Sequence, residues 1–206
     1  MARAVAEYWN HNTAYHRWLV GIAASHRGEV LDVGCGEGLL VQRLAPVSRR
    51  VLGIDPDGAS VERARRRLES LGNASVRVAR FEELAAADAR FDVITFVASL
   101  HHLSLVPALT TARQLLRPGG ELAVVGLAAN RSFADWLWSG LCLPAVRVGS
   151  ALHRETRDIG VAVAEPGEGL AEIRRLAGEL LPGVVVRRGL YYRYLLRWRK
   201  SVVGAA

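Results

Sequence analysis

Short apolar runs and helix-period segments alternate along most of this chain. The runs "EVLDVG", "RRVLGID", "SVRVARF", "RFDVITFVAS" and "ELAVVGLA" are brief and rich in Val, Ile and Leu, which is the pattern of strands buried on both faces. Between them lie "LLVQRLAP", "ASVERARRRLESLG" and "LVPALTTARQLLRPGG", whose apolar positions recur at helical spacing. Strand–helix–strand alternation of this kind predicts βαβ units and a parallel sheet, an α/β fold. The punctuation agrees: "LGN" closes the arginine-rich helix, and "LRPGG" supplies a helix stop followed by glycines. An N-terminal stretch from Val5 to about Ser25 is also expected to be helical. From Asn130 to Pro166 the periodicity breaks down around an apolar patch, "FADWLWSGLCLPAV". A helix "EGLAEIRRLAGELLPG" follows, then "VVVRRG" and "YYRYLLRWR", two strand-like runs too close for a helical crossover, which must pair antiparallel.

Composition narrows this picture. With 206 residues, half of them hydrophobic, the chain can bury one sizeable α/β core and is too short for two comfortable ones. It has no run of about 18 apolar residues of the kind a membrane span needs, and Arg3, Glu7, Asn10 and His11 stand where a signal peptide would be apolar, so a cytoplasmic protein is expected. Cys35 and Cys142 show no CxxC or Cys/His ligand spacing; free thiols and no metal site are expected. The formal charge is +7, yet Lys200 is the only lysine, and the arginines are dispersed or set along helices as in "ERARRRLES". That pattern reads as arginine bias on solvated helix faces, and no nucleic-acid partner is expected.

The candidate chemistry begins at "VLDVGCGEG", where a strand ends in Gly34, Gly36 and Gly38 and a helix opens. A dinucleotide fingerprint would carry its third glycine at the position of Leu39. The loop can still approach a ligand closely and offer amide donors to a carboxylate. Asp32 would repel a pyrophosphate but suits an ammonium or sulfonium group. The next strand ends "GIDPDG", and Asp55 there can accept two hydrogen bonds from a ribose diol; taken alone, it reads equally well as a cap for the following helix. Asp57 adds a like charge against a 2′-phosphate. An adenosine with free hydroxyls and a zwitterionic, phosphate-free tail meets all of these constraints, and S-adenosylmethionine is such a molecule.

At this point the chain resembles the class I S-adenosylmethionine-dependent methyltransferases. The resemblance runs through "VLDVGCGEG", "GIDPDGASVERAR", "RFDVITFVASLHHL" and "LLRPGGELAVV", in the family's order, from about Glu29 to Gly126. It implies a Rossmann-like, mostly parallel seven-stranded sheet with helices on both faces and the last strand antiparallel. It also implies one domain, divided into an N-terminal helical lid (1–28), a cofactor-binding core (29–126), a substrate-side insertion (127–167) and a C-terminal helix with an antiparallel strand pair (168–206). By resemblance, Asp32, Gly34, Cys35, Gly36 and Gly38 surround the methionine part and Asp55 takes the ribose hydroxyls, with Pro56 and Ser99 alongside. Where the family often reads "GDAEDL", this chain has "ARFEEL", with Arg80 in place of the usual Asp. Adenine recognition then falls to Phe81, main-chain groups and Glu82. Family members that methylate amino groups of nucleic acid or glutamine carry "PP" and an aromatic after the fourth strand; "VASLHHL" has no proline, which argues against methylation of base amines. The expected acceptor is a small, fairly apolar metabolite, with RNA or protein methylation and a non-catalytic S-adenosylmethionine-binding protein as the alternatives.

Methyl transfer from a sulfonium asks the protein mainly to align the acceptor and exclude water, with a base added only for an acceptor that must lose a proton. His101 and His102 follow the fourth strand, where the parallel-sheet rule puts ligands, and read either as general bases or as loop-fixing residues. His11 and His16 in "EYWNHNTAYHRW" are the next candidates. Tyr8, Trp9, Asn12 and Tyr15 fall at helical spacing there, either as a lid of the kind the family folds over the cofactor, with aromatic faces to attract the sulfonium and Tyr8, Trp9 and Tyr15 toward the acceptor, or as ordinary helix packing. Ser132 to Val148, with Trp136, Trp138, Leu141 and Cys142, reads as core packing, as an apolar acceptor pocket or as a weak membrane contact.

Overall fold

The computed structural model describes residues 8–84, 90–152 and 166–202. Five apolar runs form parallel strands: β1 (Glu29–Val33), β2 (Arg50–Asp55), β3 (Ala74–Val78), β4 (Phe91–Val97) and β5 (Leu116–Gly126). The two terminal runs are β6 (Val185–Arg188) and β7 (Tyr194–Arg199). β7 inserts between β5 and β6 and runs antiparallel to both, giving the order β3-β2-β1-β4-β5-β7-β6. The expected seven-stranded, mostly parallel sheet with an antiparallel last strand is what the chain adopts. Because β1 and β4 are central and pair across Val30–Val33 and Val93–Phe96, their C-terminal ends open side by side at the point where the strand order reverses.

Helices cover both faces. α1 (His16–His26), α2 (Leu39–Leu44) and α3 (Gly58–Leu68) pack on one side through Leu19, Ile22, Leu40, Val41, Leu44 and Leu68. α4 (Leu105–Leu115) and α6 (Leu170–Leu180) bury Leu105, Leu109, Ala112, Leu170, Ile173 and Ala177 on the other. α3 starts at Gly58 because Asp57, at the N-cap, accepts from Ala59 N and Ser60 N, both at 3.1 Å. The helix cap is therefore Asp57, and Asp55 is released for another task.

Four local expectations need correcting. The described part of the N-terminal stretch is not helical before Thr13: Asn10 Oδ1 accepts from Asn12 N and Thr13 N, both at 3.0 Å, and this side-chain turn replaces the first helical turn. The irregular segment after β5 contains a long helix, α5 (Phe133–Leu152), that continues through Pro144. "LRPGG" does not simply separate α4 from a strand, because β5 already begins at Leu116. Its pairing jumps from Phe91–Leu116 to Val93–Glu121, and Gly119 takes up the excursion at φ +80°. Finally, the "ERARRRLES" arginines are not all solvated: Arg67 falls on the buried stripe of α3 with Ser60, Val61, Ala64 and Leu68. Among the described residues no helix is long and apolar enough to cross a membrane.

Candidate active site

A cleft of about 770 Å³ opens at the C-terminal ends of β1, β2 and β4. Its floor is the glycine loop. Gly34 and Gly36 lie in the left-handed region at φ +72° and +52°, and a Cβ on Gly34 would stand 2.4 Å from Ser99 Cβ. Ser99 is held in turn by donating to Val33 O. The residue before it, Ala98, is a non-glycine at φ +51°, tied to β5 by its amide donating to Val125 O at 2.8 Å.

Two carboxylates are buried in this floor. Asp55 is 7% exposed; its Oδ2 accepts from Gly36 N at 2.8 Å and its Oδ1 from Asp57 N at 2.9 Å. Asp32 is 2% exposed and accepts from Thr95 Oγ1 at 2.7 Å. Burial raises the Asp32 pKa to about 7, the Thr95 hydrogen bond opposing the rise and the Asp55 charge adding to it. Burial, then Asp32 and Asp55, also push the Cys35 thiol far above its ordinary range, so it behaves as an inert apolar group.

Tyr8, His11, Asn12 and His16 from the N-terminal segment line the cleft, as do Pro56, Phe81 and Glu82 beyond β2 and β3, and Ser99, His101 and His102 after β4. The Phe81 ring is 3% exposed and meets Phe96 edge-on at 5.2 Å. The His101 and His102 rings lie 4.3 Å apart on a single 3-10 turn, Leu100–His102. His11 stacks on Tyr191 at 4.8 Å, and its Nε2 shares a hydrogen bond of 3.2 Å with Ser150 Oγ. His16 is unsuited to take a proton. Arg43 Nη1 donates to its Nδ1 at 3.1 Å, and burial together with the Arg43 charge lowers its pKa to about 3.

Four candidates stand outside the cleft wall. Gly38, at φ +81°, caps α2, and a Cβ there would meet Ala64 Cβ at 2.9 Å, so its smallness serves the contact with α3. Trp9 packs edge-on against His11 and Tyr191. Tyr15 donates its hydroxyl to Leu190 O at 2.7 Å, and burial raises its pKa to about 12. Trp136 is 65% exposed on the outer side of α5.

Other residues at the site gave little or no motif signal. Thr95 is the single hydroxyl in "FDVITFV". Glu37 is held by Arg67, which donates Nη2 to Glu37 Oε1 and Nε to Glu37 O, both at 3.1 Å; Tyr8 bonds to the same carboxylate, and burial and that charge raise the Tyr8 pKa. The β6–β7 turn supplies Arg193, whose Nε donates to Asn12 Oδ1 at 2.9 Å and whose Nη1 donates to Tyr191 O at 3.1 Å. The position of Arg67 on the apolar stripe of α3 was readable in the sequence; nothing marks Arg193.

Comparison with known proteins fits this geometry. A model of the methyltransferase domain family matches residues 30–120. An uncharacterized methyltransferase of Mycobacterium tuberculosis is 34% identical over 197 residues, covering 94% of this chain and 98% of the relative. The chain is a class I S-adenosylmethionine-dependent methyltransferase. A ubiquinone biosynthesis O-methyltransferase of Aromatoleum aromaticum is 36% identical over 165 residues, covering 78% of this methyltransferase and 68% of the relative. Among solved structures, the N-methyltransferase NodS of Bradyrhizobium japonicum in complex with S-adenosyl-L-homocysteine superposes with a TM-score of 0.64 at 20% identity, covering 93% of this chain and 88% of that one. At that identity the likeness speaks for the fold. The methyl donor that the family implies is S-adenosylmethionine.

Proposed function

We propose that this methyltransferase binds S-adenosylmethionine along the cleft floor and methylates a small, fairly apolar metabolite. The reading rests above all on the paired buried carboxylates. Asp55 is held from behind by two backbone amides and keeps lone pairs for two ribose hydroxyls, while Asp32 beside it favours a cation and opposes a polyphosphate. Gly34, Cys35 and Gly36 would enclose the methionine part with Asp32, and Pro56, Phe81, Glu82 and nearby backbone would meet the adenine. Bound there, S-adenosylmethionine supplies a methyl group already activated by its sulfonium.

The chain's own part is to orient the acceptor, exclude water and take a proton where the acceptor requires it. Tyr8, His11, Leu103 and Leu127 form partly apolar walls, and the cleft volume of about 770 Å³ suits a small acceptor beside the donor. His101 or His102 is the proposed base, with His11 behind them. A relative named as a ubiquinone biosynthesis O-methyltransferase makes a hydroxyl the first acceptor group to try.

The test is to incubate the protein with a cell extract and methyl-labelled S-adenosylmethionine. Label is expected in the organic-soluble small-molecule fraction; label in RNA or protein overturns the acceptor class. With an acceptor in hand, His101→Ala or His102→Ala should keep donor affinity while turnover falls about 10²-fold to 10⁴-fold and the acidic limb of the rate disappears. Unchanged turnover in both variants removes the pair as bases.

A further inference from the structure

α5 turns its polar side inward and its apolar side outward. Facing the protein, Asp135 pairs with Arg188, Trp138 Nε1 donates to Gly189 O at 3.3 Å, and Ser150 meets His11. Cys142, on the same side, is 3% exposed. On the other side Phe133, Trp136, Leu137, Leu141, Val148 and Leu152 are 84%, 65%, 54%, 66%, 57% and 74% exposed. These positions are spaced by three, four or seven residues and so fall on one side of a helix of 20 residues, about 30 Å long. So large a continuous apolar surface marks an interaction site.

Charge selects the occupant. The exposed cation Arg147 lies beside Val148 of the stripe, and the one acidic residue of α5, Asp135, is turned inward onto Arg188. A second copy of this chain, with its formal charge of +7, would set this arginine against like charge, whereas anionic headgroups would attract it. An aromatic and aliphatic face bordered by arginine is what binds in the plane of a lipid interface, and no described helix is long and apolar enough to cross a bilayer.

We propose that the outer face of α5 docks the protein on an anionic lipid surface, with the helix lying along the headgroup boundary. The docking stands on α5 alone and does not depend on which acceptor is methylated. Ser150 links the inner side of the same helix to His11 in the cleft wall, so the cleft stays close to the membrane when the face is seated.

Sedimentation of the full chain with vesicles tests this. Vesicles containing phosphatidylglycerol should carry the protein down at low salt and release it as salt rises, while phosphatidylcholine vesicles should bind it at least about tenfold more weakly. Leu141→Glu and Arg147→Glu change exposed positions, and each should weaken the binding by about tenfold with donor affinity retained. Brominated lipid should quench the parent's fluorescence and quench Trp136→Phe distinctly less. The proposal is overturned if the parent binds neither vesicle type, if both charge variants bind like the parent, if quenching does not depend on Trp136, or if light scattering finds a dimer that Leu141→Glu dissolves.

Discussion

The floor of the cleft and its roof are built by opposite means. The floor is made where neighbouring strands end together: Gly34 and Gly36 at positive φ, Asp32 and Asp55 held by hydrogen bonds from the strand ends and the loop itself, and Ser99 packed into the space a side chain at Gly34 would need. The roof is made of single side-chain bonds thrown across the whole chain. Arg193 reaches Asn12, Tyr15 reaches Leu190, and His11 reaches Ser150. A floor of backbone geometry tolerates few sequences, whereas a roof of isolated bonds can be rebuilt by many. We propose that donor recognition belongs to the floor and acceptor choice to the roof, so that the two should come apart under mutation.

The largest effect is expected from Gly34→Ala. Its Cβ meets Ser99, and the backbone must stay left-handed, costs that together reach about 3 kcal/mol, or a hundredfold in donor affinity. The double variant Gly34→Ala, Ser99→Gly removes the clash and leaves the left-handed strain of about 1 to 2 kcal/mol, so it should regain roughly tenfold. Calorimetry that finds the single variant binding like the parent breaks the account of the floor.

Asp32→Asn comes next and should move stability and binding in opposite directions. Below the ordinary carboxylate pKa of 3.8 the folded and unfolded chains both keep the Asp32 proton. Between 3.8 and about 7 only the folded chain keeps it, so this group lowers stability as pH rises, and above about 7 the full cost is carried. Asparagine removes that cost, and Tm at pH 8 should rise by several degrees, corresponding to about 1 kcal/mol or more. Donor affinity should fall by at least about tenfold and lose the strengthening expected of the parent as pH passes upward through about 7. A variant both less stable and equally tight in binding would make Asp32 a structural residue.

The same division explains what the sequence disclosed. The strands follow from apolar runs, and the floor from residues close together in "VLDVGCGEG" and "GIDPDG", because contacts between adjacent strand ends leave a local signature. The roof left none. Tyr8 to Tyr15 has helical spacing, yet the side chain of Asn10 captures two amides and diverts the chain into a turn. α5 hid because amphipathic reading expects apolar residues inward, while here Asp135, Trp138 and Ser150 make the inward bonds. Arg193 acquires its place only once β7 has been threaded between β5 and β6.

The smallest of these effects sharpens the contrast from the other side. Arg193→Ala removes the latch to Asn12 and Tyr191, a loss of about 1.5 to 3 kcal/mol that falls on the roof. KM for the acceptor should rise by up to about tenfold while donor affinity stays within about twofold of the parent. Donor affinity falling with an unchanged acceptor KM would reverse the assignment of floor and roof.

Calorimetric titration of S-adenosylmethionine into the parent and into Asp55→Ala tests the central claim most directly. If Asp55 receives the ribose hydroxyls, the variant gives up two charge-assisted hydrogen bonds, each worth about 1.5 to 3 kcal/mol, and binds at least tenfold more weakly while its sheet still melts cooperatively. Unchanged affinity, or equal binding of NAD by the parent, would contradict it.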